Sequence, residues 1–312
     1  MATPQRPLVS VIFANWNGKE DVKAYLDSLK KSSLFPGTEV IMVDNNSHDG
    51  SVALVRSQYP WVSVFTLPYN RGNSYARNYA TQKAKGSFLF YSDNDITIEP
   101  NTLTHLLDAF SSYPEAGIVG GKVFKKHPAS AIESAGGYGF NPWLGIIYDL
   151  PDSDSLQECA FVIGCAMLVK KEVMKSIGGF EETYLKYFED GDLCFRARYA
   201  RYRVYYQPHA VIHHGKTGGT VTYDLTKKFT TWYRNQFHFI LTHCSFLQIF
   251  VSLLFHLTVL PILRYPILRR KQEIPALWYD YVLRYKALLW NLPRLKNIWK
   301  KRQELQRFRP SA

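Results

Sequence analysis

An apolar run, Phe88-Leu-Phe-Tyr91, ends in Ser92-Asp-Asn-Asp95. Two carboxylates separated by one residue, Asp93 and Asp95, can hold a hard divalent cation that also grips phosphate oxygens. A turn capped by Asp and Asn would use the same residue types. Four consecutive apolar residues bounded by turn formers predict a strand covered on both faces. Such a strand does not by itself explain why acids follow at its carboxyl end, where ligands of open α/β sheets bind.

Three more polar clusters follow apolar runs. Asn15-Trp-Asn-Gly18 follows Leu8–Ala14, and Asp44-Asn-Asn-Ser-His-Asp-Gly50 follows Glu39–Val43. Asp44, with Asn46 beside it, could cap the next helix, or it could accept hydrogen bonds from a ribose or a base N–H. After Val62–Leu67 come Asn70, Arg71 and Gly72, with Asn78 one helical turn beyond Ser74. There Gly72 permits close backbone approach and Arg71 can pair with phosphate, although ordinary loop polarity also fits. Farther on, Glu189, Asp190 and Asp192 stand at a predicted helix start, either as an acidic first turn or as a source of a general base. His213-His214-Gly215 is read as part of the loop Pro208–Thr220 that follows a strand Arg203–Gln207, where a third metal ligand could sit.

The elements that would position these groups alternate. Strands are predicted at 8–14, 39–43, 62–67 and 88–91, and helices at 19–31, 51–59, 74–85 and 101–113. Strand-helix alternation of this kind implies βαβ units and a mostly parallel, doubly wound sheet. Beyond it, strands are expected at 117–124 and 161–169 and a short helix at 170–177. Residues 134–151, rich in Gly and aromatics without clear periodicity, read as loop.

The chain has 312 residues, 46% of them apolar, which is ample for a core and excludes a disordered or fibrous class. Its net charge of +12 is unevenly placed: residues 264–312 hold 13 Lys and Arg against 3 acids, and the rest is close to neutral. That asymmetry argues against a broad nucleic-acid face on the sheet. Cys159, Cys165, Cys194 and Cys244 lack CxxC pairing and predict buried thiols in a reducing compartment. The N-terminus, Met1–Arg6, is polar, with no secretion signal expected.

In the order Val9–Gly18, Val43–Gly50, Asn70–Asn78, Ser92–Asp95, Gly178-Gly-Phe180, Phe188–Arg196 and His213–Gly215, these motifs resemble those of the family 2 glycosyltransferases of the GT-A fold, in particular the rhamnosyltransferase-like members that build cell-surface polysaccharides. The resemblance covers roughly residues 7–220. It implies an α/β GT-A catalytic domain over 1–225, with 7–115 binding a nucleoside-diphosphate sugar and 116–225 the acceptor, a glycan or lipid-linked molecule. It also implies that Asp44 recognises base or ribose with the loop Asn15 to Asn17, that Asn46, Asn70, Arg71 and Asn78 line the donor site, and that Asp95, with Asp93 and His213, binds Mn2+ or Mg2+, the choice between His213 and the adjacent His214 being left open. Asp190 would be the base of an inverting single displacement, with Glu189 and Asp192 beside the acceptor. Gly191 stands where members often carry a larger residue, and the position of Asp93 is frequently not acidic in them.

Residues 226–312 read as a helical extension. Phe246–Leu263 is a borderline candidate membrane segment, interrupted by Gln248, His256 and Pro261 and followed at once by Arg264, Arg269, Arg270 and Lys271. Aromatic residues interleaved with basic ones predict peripheral attachment to an anionic leaflet, on the cytoplasmic side of the cell membrane, through 246–312. The oligomeric state is left open. A nucleotidyltransferase would also need a metal and a diphosphate, but Asn15–Gly18 lacks the basic residues of a phosphate loop; a nucleic-acid-binding module is the other alternative.

Overall fold

The computed structural model describes residues 8–126, 131–215, 224–271, 273 and 276–308. The expectations for Met1–Arg6 and for residues 216–220 lie outside these. The elements in order are β1 (Val9–Asn15), α1 (Lys19–Lys30), β2 (Thr38–Asp44), α2 (Ser51–Gln58), β3 (Val62–Thr66), α3 (Gly72–Lys83), β4 (Phe88–Ser92), β5 (Ile96–Ile98), α4 (Thr102–Ser112), β6 (Ala116–Lys125), β7 (Ile132–Ser134), β8 (Tyr138–Asn141), β9 (Ile146–Asp149), β10 (Gln157–Glu158), β11 (Ala166–Lys170), α5 (Lys171–Ile177), α6 (Glu189–Tyr199) and β12 (Arg203–His214). Five helices follow: α7 (Leu225–His243), α8 (Phe246–Leu257), α9 (Val259–Arg270), α10 (Leu277–Asn291) and α11 (Leu295–Gln306).

The chain divides into two compact units. The first comprises Met1–Gly139, Asp149–Leu185 and Glu189–Thr220; the second comprises Phe140–Tyr148, Lys186–Phe188 and Val221–Ala312. The helical unit therefore takes in two short pieces of what the sequence assigned to a catalytic domain ending at 225.

In the first unit one sheet runs β10-β12-β6-β11-β4-β1-β2-β3, with β5 on β12 and β7 on β6. Strands β3, β2, β1 and β4 are parallel, whereas β11 runs antiparallel to both β4 and β6. The chain steps from β1 outward to β2 and β3, then returns to β4 on the other flank of β1. This reversal opens the crevice at the carboxyl ends in which doubly wound sheets bind ligands. The register pairs Asn15 with Asp44 and Phe13 with Ser92, so the polar ends of β1, β2 and β4 lie along one rim. α1 shows why the helices dock as they do: Val22, Tyr25, Leu26 and Leu29 recur at helical spacing and all are buried against the sheet core.

Three expectations differ. Residues 134–151 are not simply loop, since β8 and β9 pair as a hairpin. The strand expected at 161–169 is shorter, from Ala166, with Phe161 only bridging Tyr138. Most consequentially, the strand expected to stop at Gln207 continues to His214. A bulge between Gln207 and Val211 breaks the alternation that would have revealed it.

The second unit packs Phe229, Tyr233, Phe237, Ile240, Leu268, Leu283 and Ala287 into its own core. Phe246–Leu263 is not continuous: α8 and α9 meet at a 43° bend, and no single helix among the described residues is long and apolar enough to cross a membrane. Ser252 and His256 turn inward, whereas Phe246, Leu247, Phe250, Leu254, Ile262, Leu263 and Ile267 are exposed.

Candidate active site

Asp93 and Asp95 leave β4 into the crevice. Their carboxylates and the His214 ring bring one ligand atom each to within 4.8 Å of one another. His214 Nε2 lies 3.4 Å from Asp95 Oδ1 and 3.8 Å from Asp93 Oδ2, and its Nδ1 is 2.8 Å from Glu133 Oε2. A carboxylate behind the second ring nitrogen is the usual means of orienting a metal-ligating histidine. With two aspartates and one imidazole, the donor set suits a divalent cation of the Mn2+ or Mg2+ kind, and the residues present fit that ion. Burial disfavours the charged ring, but the hydrogen bonds to Asp95 and Glu133 and the charge of Asp93 outweigh it and raise His214 to about 11. Lys126, on no sequence expectation, donates from Nζ to the Asp95 carbonyl oxygen at 2.7 Å.

Of the two adjacent histidines, His214 is the one that approaches the carboxylates. Because β12 extends through both histidines, neighbouring side chains point to opposite faces. The His213 ring stacks on Phe124 and lies 3.0 Å from Glu99 Oε1, while His214 takes the place assigned to it.

Asp190 sits in the first turn of α6. Its Oδ2 accepts from the Gly164 N–H and its Oδ1 from the Gly191 N–H, both at 2.8 Å. Burial raises its carboxyl despite these donors. The adjoining Glu189 is buried, with Oε2 lacking a hydrogen-bond partner, and burial together with the Asp190 charge lifts it to about 8.

The residue that ties these carboxylates together was not anticipated. Arg77, 1% exposed, donates from Nη2 to Asp93 Oδ1 at 2.8 Å, to Gly164 O at 2.8 Å and to Ser92 O at 3.3 Å. Gly164 therefore accepts from Arg77 through its carbonyl and donates to Asp190 through its amide. The Arg77 Nε and Nη1 atoms are buried without partners. One sequence signal existed: Ser74, Arg77 and Ala80 share the i, i+3, i+6 inward face of α3, where an arginine must meet negative charge.

The remaining expectations divide. Asn15 donates to Asp44 Oδ1 at 2.8 Å and accepts from Asn94, which joins the ends of β1, β2 and β4. Asp44, 2% exposed, also accepts from the Ser47 amide and hydroxyl, so its carboxylate organises its own loop. Asn17 and Asn46 adopt left-handed backbone, φ 51 and 65, and Asn17 accepts from the His48 amide. Asn70 accepts from the Gly72 amide, and the exposed Arg71 guanidinium stacks 3.3 Å from the centroid of Tyr75.

Asn78, expected to line a donor site, is hydrogen-bonded to a neighbouring turn. It donates to Phe180 O and Glu182 Oε1 and accepts from the Phe180 amide, tethering the Gly178–Phe180 turn. Asp192, expected beside the acceptor, is paired with Arg196 at 2.7 Å, each 1% exposed.

A mixed sheet of this order, with acids beyond β4 and a buried carboxylate on a following helix, defines the GT-A class of transferases. The chain spans 77% of its own length and 51% of the other in a match to the structure of GalNAc-T7 with UDP, GalNAc and Mn2+, at a TM-score of 0.60 and 15% identity. It matches the mannosyltransferase PcManGT from Pyrobaculum calidifontis, in complex with GDP-Man and Mn2+, over 98% of this chain and 86% of that one, at a TM-score of 0.58 and 16% identity. The model of the family described as Glycosyl transferase family 2 matches residues 10–178, more than half of the chain. The chain belongs to that family and is a glycosyltransferase. Among curated relatives, it is 25% identical over 239 residues to the N-acetylglucosaminyl-diphospho-decaprenol L-rhamnosyltransferase of Mycobacterium tuberculosis (strain CDC 1551 / Oshkosh), covering 68% of this chain and 78% of that protein.

Proposed function

We propose that this glycosyltransferase moves a sugar from a nucleoside-diphosphate sugar to a hydroxyl of a glycan or lipid-linked acceptor, by a metal-dependent single displacement with inversion. The observation that carries the reading is the convergence of Asp93, Asp95 and His214 at the end of β4, linked through Arg77 and Gly164 to Asp190. Asp93, Asp95 and His214 would hold Mn2+ or Mg2+, which when bound supplies positive charge against the departing diphosphate. Asp190 takes the proton of the acceptor hydroxyl, and burial, by raising its affinity for protons, makes it a stronger base than an exposed aspartate. Glu189, protonated through much of the neutral range, can donate a hydrogen bond to the acceptor. Arg77 keeps the charge of Asp93 and Asp190 balanced while substrate is absent. Asn15, Asn17, Asp44 and Asn46 offer the loops against which base and ribose would rest.

The test is nucleoside diphosphate release from a panel of UDP-, GDP- and dTDP-sugars with Mn2+, nucleotide-activated L-rhamnose included because of the relative's name. Asp95→Ala and Asp190→Ala should each lose about 10³-fold in turnover. Full activity in both variants would overturn the mechanism.

The same enzyme is placed by this proposal at the cytoplasmic face of the cell membrane. Support comes from the helical unit, where α8 and α9 turn Ser252 and His256 inward and leave Phe250, Leu254, Ile262 and Leu263 outside, beside the basic residues 264–271. Flotation with anionic vesicles should capture the wild type and release a Phe250→Glu, Leu254→Glu, Ile262→Glu variant. Equal flotation of the two would refute the placement.

A further inference from the structure

Arginines of the helical unit differ in what takes up their charge. Arg284 pairs with Asp280, and Arg302 donates to three carbonyls at the end of α7, those of Leu241, Thr242 and Cys244. Arg234 on α7 and Arg294 in the turn Leu292–Arg294 have neither arrangement. Both guanidiniums lie against one indole, 4.3 and 3.4 Å from the centroid of Trp290. Their hydrogen bonds go to neutral oxygens, from Arg234 Nε to Asn235 Oδ1 at 3.1 Å and from Arg294 Nη1 to the Trp290 carbonyl at 2.6 Å. Arg234 Nη2 is buried with no hydrogen-bond partner.

Two cations on one ring, with a buried donor left over, make an uncompensated positive charge. Burial and the charge of Arg294 push Arg234 below its ordinary value. An aromatic face attracts a guanidinium but carries no net negative charge, and arginines are rarely buried unless paired. The chain around them offers little compensation: residues 264–312 hold 13 Lys and Arg against 3 acids, and one of those acids is Asp280, already taken by Arg284. What fits a pair of planar forks is a phosphate, whose oxygens accept two hydrogen bonds from each. The setting favours a phosphate carried by a lipid. Leu289, Leu292 and Leu295, in the same stretch of chain as Trp290 and Arg294, are 61, 48 and 43% exposed. A soluble anion gains nothing from an apolar margin, whereas a lipid headgroup sits between charge and acyl chain.

We propose that Arg234, Arg294 and Trp290 form a binding site for the phosphate group of a membrane lipid, with the exposed leucines meeting its acyl region. All of these residues lie in one compact unit. This rests on the membrane placement proposed above and goes beyond it by naming the headgroup chemistry.

Flotation compares two kinds of phosphatidylcholine vesicle of equal surface charge. One contains phosphatidic acid, which presents a terminal phosphate; the other contains phosphatidylserine, whose phosphate is a diester. The full-length wild type should bind the first about tenfold more tightly. Arg234→Gln with Arg294→Gln should erase that preference and keep binding to phosphatidylserine vesicles through the basic residues 264–271. Arg234→Lys with Arg294→Lys keeps both charges without the planar fork and should erase it as well, so the Lys pair decides if the Gln pair fails to fold.

A soluble probe separates the phosphate from the lipid. With EDTA present to keep metal out of the crevice, inorganic pyrophosphate should slow amide exchange over residues 288–296 in the wild type and not in the Lys pair. A preference for phosphatidic acid that survives in the Lys pair, or that is missing from a wild type that floats on phosphatidylserine, overturns the proposal and leaves the membrane placement standing. Protection by pyrophosphate without a lipid preference assigns the arginines to a soluble phosphate, and the lipid site is then wrong. Flotation on neither vesicle means that the membrane placement fails and the lipid site with it.

Discussion

Each unit contains a cluster of carboxylate, arginine and histidine, and the two clusters have opposite fates. In the first unit Asp93, Asp95 and His214 remain 20–33% exposed, with carboxylate oxygens turned to the crevice. In the helical unit Asp280 and Arg284 are wholly buried at 2.8 Å, Arg284 Nη1 lies 3.0 Å from His256 Nδ1, and Tyr233 donates to Asp280. The crevice histidine is held well above its ordinary value by acids, whereas burial and the Arg284 charge push His256 down to about 3. Identical residue types thus form an acid-rich group open to solvent in one unit, and in the other an internally paired brace where a guanidinium faces an imidazole in the core.

The sharpest contrast comes from removing the arginines. Arg77→Leu strips the balancing cation from Asp93 and Asp190, and should cost about 3–5 kcal/mol of stability and abolish transfer. Arg284→Leu should cost a similar amount. Replacing the whole brace, Asp280→Leu, Arg284→Leu and Tyr233→Phe together, should recover most of it, because apolar groups of similar volume often substitute for a buried ion pair. Arg77→Leu with Asp93→Leu should recover stability but not transfer. Urea midpoints and nucleoside diphosphate release decide the matter. If the apolar brace is as unstable as the single variant, or the Arg77–Asp93 replacement stays active, the two clusters do not differ in kind.

Much of the crevice was legible because parallel strands buried on both faces are apolar runs, and polar residues become permissible only where the runs end. β1, β2 and β4 and the loops after them followed from that rule. What the rule misses is partnership across distance. Nothing local marks Arg77, because its partners, Asp93 and Gly164, are 16 and 87 positions away. Asn78 looked like a ligand group for the same reason, its partner being the backbone of Phe180. The choice between His213 and His214 stayed open because of a bulge: a strand taken to end at Gln207 leaves its histidines on a loop, where facing cannot be assigned.

A smaller effect separates the units by pH. His256 has a folded-state pKa near 3 against about 6.5 unfolded, so its contribution to stability is present above about 6.5 and is lost as pH falls toward 3. Between pH 7 and pH 5 the loss is about 2 kcal/mol, and His256→Asn, which keeps an acceptor for Arg284, should remove it. Glu189 has the reverse sign. With its folded value raised from 4.5 to about 8, the stability it contributes is present in acid and declines as pH rises through that window. Glu189→Gln should therefore flatten the alkaline side of the urea-midpoint profile and His256→Asn the acid side. Exchange of these two effects would reverse the assignment of a dry brace and a charged crevice.

The finest probe is a methyl group. A Cβ on Gly164 would lie 3.0 Å from Asp190 Cβ, 3.3 Å from its Oδ2 and 3.4 Å from Arg77 Nη1. The nearest atom, Asp190 Cβ, moves only with its own backbone, so relieving the contact shifts the start of α6 by a few tenths of an ångström and lengthens the bond from the Gly164 amide. Gly164→Ala should thus lower the urea midpoint only slightly and lower kcat by about tenfold, since a base displaced by a fraction of an ångström loses reach to the hydroxyl it must deprotonate. Gly145, near the brace, gives the opposite result. Its φ is 61° and a Cβ there would meet Ile240 Cδ1 at 2.5 Å, so Gly145→Ala should lower the midpoint with donor KM and kcat per folded molecule preserved. A Gly164→Ala enzyme with full kcat would mean that the Gly164 link between Arg77 and Asp190 supports the fold alone, and the crevice would then resemble the helical brace more closely than its open carboxylates suggest.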